Sequence, residues 1–248
     1  MELILTAIVG LVIGSFFNVL LVRLLKGEEG ILWGRSQCPH CKKNLGWYDL
    51  VPVISYLWLR GQCRHCRHRI SPQYPLVEVG TALVLTLFVY VRGVPVSMFE
   101  YTHLVLLLGF VLLALFDYKY LILPDVVMLP MVAVVLIYHS IVGGILYNLE
   151  VGFLSSLLFA ILYVVSQGRW VGFGDVKLSF LVGLAFGYPF GILVLVAAIW
   201  AAALVGIVLL ASQRGTVKTA LPFGSFLAAT SSIYIIYFYV FQTFRWYF

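Results

Sequence analysis

Eight apolar runs follow one another along this chain, near 3–25, 76–92, 98–117, 122–143, 147–167, 176–189, 190–212 and 221–242. A helix needs about 17–25 apolar residues to cross roughly 30 Å of hydrocarbon, and most of these runs have that reach. Of the 248 residues, 62% are hydrophobic and 10% charged. A soluble domain with that balance would expose apolar patches too large to stay dispersed. The expected fold class is therefore an all-α polytopic membrane protein with about eight transmembrane helices. The sixth run is short and leads into Gly187, Tyr188 and Pro189, which leaves its division from the seventh open. The first run lacks a basic leading segment and a small-residue cleavage site, and carries Asn18 and Arg23 near its end. It reads as a retained helix rather than a secretory signal.

One polar segment, 26–75, interrupts the pattern. It holds eight of the sixteen Lys and Arg residues: Lys26, Arg35, Lys42, Lys43, Arg60, Arg64, Arg67 and Arg69. With this segment in the cytoplasm and eight alternating spans, Arg23, Lys119, Arg169, Lys177, Arg214 and Lys218 also fall inside, and Arg92 and Arg245 alone fall outside. That asymmetry follows the positive-inside rule. The net charge of +6 thus points to topology and membrane lipid as a partner, and not to nucleic acid. The sequence shows no internal repeat.

All four cysteines lie in this segment, as Cys38-Pro39-His40-Cys41 and Cys63-Arg64-His65-Cys66, two C-x-x-C pairs separated by 21 residues. Two such knuckles can surround one structural Zn2+ with four thiolates, leaving no open position for water. Two disulfides are the alternative, disfavoured by the reducing compartment that the charge pattern implies. His40 and His65 sit inside the knuckles and read as flanking residues. A segment this short has little core of its own, so a metal gives it a physical reason to fold as a small cytoplasmic zinc-binding loop domain.

Asp117, Asp125, Glu150 and Asp175 fall in or at the ends of apolar runs, where ionisable residues are costly and usually functional. Asp117 ends the third run and Asp175 precedes the sixth in Gly172-Phe173-Gly174-Asp175. Three alternating spans bring those two ends to one depth, where the carboxylates can face each other and share a proton. One can then activate water while the other protonates a carbonyl oxygen, as in aspartic proteases. Position suggests a division of roles: Asp175 at a helix N-terminus as base, Asp117 near a helix C-terminus as acid. Taken alone, Asp175 reads equally well as a helix cap, with its glycines forming a tight turn. Asp125 after Pro124 fits the first turn of a helix. Glu150 reads as an interfacial anchor. Lys177 and Lys119 are topological anchors that can also tune the pair. His103 and His139 stand alone. Trp246, Tyr247 and Phe248 read as an interfacial aromatic belt.

The ordered set of motifs resembles the type IV prepilin peptidases, GxGD aspartyl proteases of the membrane. The set comprises Gly14-Ser15-Phe16-Phe17-Asn18-Val19 with Arg23; the two cysteine knuckles around Trp47-Tyr48-Asp49-Leu50-Val51-Pro52 and Leu59-Arg60-Gly61; and Tyr74-Pro75-Leu76-Val77-Glu78. It continues with Asp117 and Leu123-Pro124-Asp125, then Gly172-Phe173-Gly174-Asp175-Val176-Lys177, then Pro222-Phe223-Gly224. The resemblance implies a bacterial inner-membrane enzyme that removes the leader of prepilins and pseudopilins at the cytoplasmic face. Asp117 and Asp175 would be catalytic, and Gly172, Gly174, Asp125 and Lys177 supporting. It further implies methylation of the new N-terminus from S-adenosylmethionine, although no glycine-rich fingerprint locates that donor. The implied domains are a first helix (1–25), the four-cysteine zinc-binding loop associated with methyl transfer (26–75) and the peptidase (76–248). Glu28, Glu29, Asp49 or Glu78 could line the path of a basic leader. A peptidase without methyl transfer, and a proton-coupled transporter, are the competing readings.

Overall fold

The computed structural model describes residues 1–26, 34–214, 216 and 220–245. Glu28, Glu29, Lys218 and the aromatic stretch Trp246, Tyr247 and Phe248 lie outside them. Among the described residues the elements are α1 (Glu2–Lys26), α2 (Ile54–Trp58), α3 (Gln73–Arg92), α4 (Met98–Tyr120), α5 (Asp125–Val142), α6 (Ile145–Ser166), α7 (Phe173–Phe186), α8 (Phe190–Ala211) and α9 (Phe223–Arg245). No sheet forms among them, in keeping with the all-α expectation. Seven helices, all except α2 and α7, are long and apolar enough to cross a membrane. The eighth expected span is α7, whose 14 residues reach only about 21 Å at 1.5 Å per residue. Its ends explain the shortness: a Gly172 cap and an early polar turn at one side, and Gly187 at φ 63 at the other.

The chain divides into two compact units, Met1–Val94 and Pro95–Phe248. In the first, α1 and α3 pack antiparallel, with Gly10 against Ala82, Gly14 against Glu78, and the Asn18 amide donating to the Tyr74 carbonyl at 3.0 Å. A Cβ on Gly14 would lie 2.6 Å from the Glu78 Cα, so the small residues one turn apart are what let these backbones meet. α3 thus pairs with α1, although the sequence groups it with 76–248. Glu78 is buried in this pair and accepts the Val53 N–H at 2.8 Å. That bond holds a β-branched residue at φ 60, a strained conformation for valine.

In the second unit α4 and α9 pack antiparallel. Asp117 meets Ser225 at one end, and His103 Nδ1 pairs with the Tyr239 hydroxyl at 2.8 Å toward the other. α7 runs antiparallel to α6, with Phe173 beside Tyr163 and Gly187 beside Asn148. It then turns back into α8, where Gly191 lies on Gly183. Leu178, Ser179, Leu181, Val182 and Leu184 of α7 are fully buried, whereas α8 exposes Leu193, Trp200, Leu204 and Ile207. The short helix is therefore an interior leg of the bundle. The long apolar one presents hydrocarbon outward, as lipid-facing helices do.

Candidate active site

Four helix ends converge at one end of the second unit: the last turn of α4 and the first turns of α5, α7 and α9. Leu121 caps α4 at φ 55, and its N–H bonds the Asp117 carbonyl. That reversal lays Leu123 against two glycines. A Cβ on Gly174 would sit 3.1 Å from the Leu123 Cβ, and one on Gly224 would sit 2.9 Å from the Leu123 Cδ1 and 3.0 Å from the Asp117 Cγ. Gly172 has φ −76, which any residue adopts, and a Cβ there would make ordinary contact. In the G-x-G pair it is thus Gly174 that lies in close approach, tight against the Leu123 side chain, and no left-handed turn is involved.

Asp117, only 5% exposed, accepts the Ser225 N–H at 2.6 Å and is 3.1 Å from the Ser225 hydroxyl, both on Oδ2. Asp175 is half-buried and accepts the Gly172 N–H on its own Oδ2 at 3.2 Å. That is the helix-cap bond of the blander sequence reading, and it occupies one oxygen. Each aspartate keeps Oδ1 without a hydrogen-bond partner among the described residues, and the two carboxyl groups lie within electrostatic range of each other. Helix ends do not distinguish the two aspartates. Asp117 does stand near the C-terminus of α4, but its carboxylate is aimed at the N-terminus of α9, so both aspartates face helix N-termini. Asp125 opens α5 and pairs with Lys177 of α7, whose ammonium also lies 5.3 Å from the Phe173 ring centre. Lys119 sits over Tyr120, and Glu150 is exposed.

In the first unit, Cys38, Cys41, Cys63 and Cys66 bring their sulfurs within 4.8 Å of one another, as free thiols that could hold a metal ion. Cys38 and Cys66 Sγ are 3.9 Å apart, close to the edge of about 3.8 Å expected for a tetrahedron with metal–sulfur bonds near 2.3 Å. The knuckles repeat each other. Lys42 and Arg67 both adopt positive φ, Lys42 and Arg67 N–H bond the Cys38 and Cys63 carbonyls, and bridges join Gln37 to Asn44 and Gln62 to Arg69. The repeat is short, Gln-Cys-x-His-Cys followed by Lys42 or Arg67, and the side chains beyond it differ, so it does not stand out as an internal repeat in the sequence. His40 stacks on His68 at 4.3 Å, and no histidine belongs to the sulfur cluster. The His68 backbone favours the Cys66 thiolate, but desolvation and hydrogen bonds with the other three thiols outweigh it and push that thiol up to about 11. Deprotonated, four sulfurs this close would repel one another unless a cation lay among them.

Two family profiles match the chain: the bacterial peptidase A24 N-terminal domain over residues 8–92 and the type IV leader peptidase family over residues 104–207. A prepilin leader peptidase/N-methyltransferase of Pseudomonas putida is 31% identical, covering 94% of this chain and 90% of its own. Proteins of the same name from Vibrio cholerae serotype O1 (33%, covering 76% and 79%) and Bacillus subtilis (28%, covering 93% and 92%) are also similar. This chain belongs to the type IV leader peptidase family. No solved structure matches it.

Within this leader peptidase the sequence reading missed several polar residues. Ser225 reaches Asp117 through the α4–α9 contact, which no local pattern announces. His103, read as standing alone, bonds Tyr239. Glu100 is buried and accepts the Val96 and Ser97 N–H groups, a role that Ser97-x-x-Glu100 does spell as a capping box. Of the acids suggested to line a leader path, Asp49 is paired with Arg64 at 2.8 Å and Glu78 holds Val53, so internal bonds occupy both.

Proposed function

We propose that this membrane enzyme removes the leader of type IV prepilins and pseudopilins with Asp117 and Asp175, and methylates the new N-terminal amine with S-adenosylmethionine as donor. The relatives' shared name supports the paired activities. The observation that carries the peptidase assignment is the pair itself. Two carboxyl groups from separate helices stand in electrostatic range, each with one oxygen bound to a backbone N–H and the other turned free. A pair carrying one proton supplies a base for water and an acid for the scissile carbonyl. Gly174 and Gly224 keep room for Leu123 between the two aspartates' helices, and the Asp125–Lys177 pair ties α5 to α7.

Cys38, Cys41, Cys63 and Cys66 would hold Zn2+ as a closed structural site, since four thiolates complete its shell. The 26–75 segment around it belongs to methyl transfer and 76–248 to cleavage. The positive-inside count favours a cytoplasmic position for the loop and for the Asp117 and Asp175 helix ends. A prepilin's basic leader followed by an apolar helix would place its scissile bond at that inner interface. Incubation of the purified enzyme with a cognate prepilin and S-adenosylmethionine tests this by intact mass. Leader loss plus one methyl is expected; leader loss alone would retract the transferase, and an unchanged mass would retract both activities.

A further inference from the structure

We propose that Ser225 is a positioning residue that keeps the shared proton off Asp117, so that Asp117 enters the reaction as the carboxylate and Asp175 as the acid. The inference rests on the dyad proposed above and reverses the roles that helix ends alone suggest. Ser225 lies in the first turn of α9 and addresses Asp117 Oδ2 twice, through its N–H at 2.6 Å and its hydroxyl at 3.1 Å. The same hydroxyl is 3.0 Å from the Ala114 carbonyl. A hydroxyl has one proton to give. It points to Asp117 Oδ2 while that carboxylate is charged, and turns to Ala114 when the carboxyl takes up a proton. Donors to a charged carboxylate are about twice as strong as neutral ones, so this rotor favours the anion. Asp175 has one longer bond, from its own cap at 3.2 Å.

The other charged and titratable groups at this end do not reverse the bias. Asp175 faces Asp117 from α7, Asp125 of α5 and Lys177 of α7 are committed to each other, and Lys119 of α4 lies over Tyr120. Asp117 takes a proton from water, the resulting hydroxide bonds the scissile carbon, and Asp175 gives its proton to the carbonyl oxygen. The diol then returns a proton to Asp175, Asp117 delivers its proton to the leaving nitrogen, and the C–N bond breaks.

The test is the pH dependence of kcat/KM for leader removal by the full-length enzyme. In Ser225→Ala the rising acid limb should move to higher pH by about one unit, the size expected when a charge-assisted hydrogen bond is lost. Ser225→Thr, which keeps the hydroxyl, should retain the wild-type limb. Ser225→Cys, near-isosteric with a weak donor, should shift the same way by less, and it serves if the alanine variant does not fold. A fall in rate at every pH with the limb unmoved, or a shift to lower pH, overturns the proposal. Asp117→Asn and Asp175→Asn run in parallel: if they still cleave, the dyad fails; if they are dead and the limb of the Ser225 variants is unmoved, only the role of Ser225 fails.

Discussion

The proposed dyad depends on how closely Asp117 is held. Gly224 leaves no room for a methyl group between Leu123 and Asp117. Gly224→Ala should therefore displace that carboxyl and cut leader removal by about 10²-fold, the usual cost of misplacing a reacting group by an ångström. Measurement of kcat at saturating prepilin checks this, and the fall should appear in kcat. The Asp125–Lys177 pair makes the opposite prediction. Its side chains are 57% and 34% exposed, and exposed pairs contribute about 0–1 kcal/mol. Asp125→Ala should leave the thermal midpoint in detergent nearly unchanged. Both aspartates were legible in the sequence, because an acid in an apolar run is conspicuous and the spacing of runs set a common depth. Ser225 was not legible, since its meaning depends on a contact between α4 and α9 that local sequence does not encode. Through the same contact a residue at the end of one helix lies at the start of another, so helix ends alone do not divide acid from base.

Among the elements, helix α1 owes its position to Gly10 and Gly14, and the glycines give sharply different expectations. Gly14→Leu would drive a side chain into the Glu78 backbone and should destabilise the first unit by roughly 1–3 kcal/mol, as overpacking does. Gly80→Ala in α3 meets nothing within 4 Å and should instead stabilise by about 0.5–1 kcal/mol through helix entropy. Thermal unfolding of the two variants beside wild type checks the opposed signs. The long helices were readable from apolar length alone, because the bilayer requires it. The 14-residue α7 was harder, since a buried leg of a bundle need not match the hydrocarbon thickness. The pairing of α1 with α3 follows from where small residues let backbones approach, and hydropathy does not report that.

For the molecule as a whole, the zinc loop and the peptidase helices are proposed to serve separate chemical steps. Native mass spectrometry should find one zinc per chain, and Cys63→Ser should lose it. Because metal binding displaces thiol protons, and the Cys66 thiol is held up at about 11, zinc should be released progressively as pH falls. The cysteine variant should lose methylation much more than cleavage; equal losses would contradict the division. The cysteine spacing made the cluster legible. The repeated knuckle backbone is only partly written in side chains, as Gln-Cys-x-His-Cys followed by Lys42 or Arg67, and the rest of it lies in hydrogen bonds and positive φ values.

The most direct test of the central claim is leader removal from a prepilin by Asp117→Asn and Asp175→Asn, each with a thermal midpoint close to wild type. The dyad predicts that each substitution lowers cleavage by about 10³-fold or more, because each removes one half of the acid–base pair. Cleavage at near wild-type rate by either folded variant would contradict it.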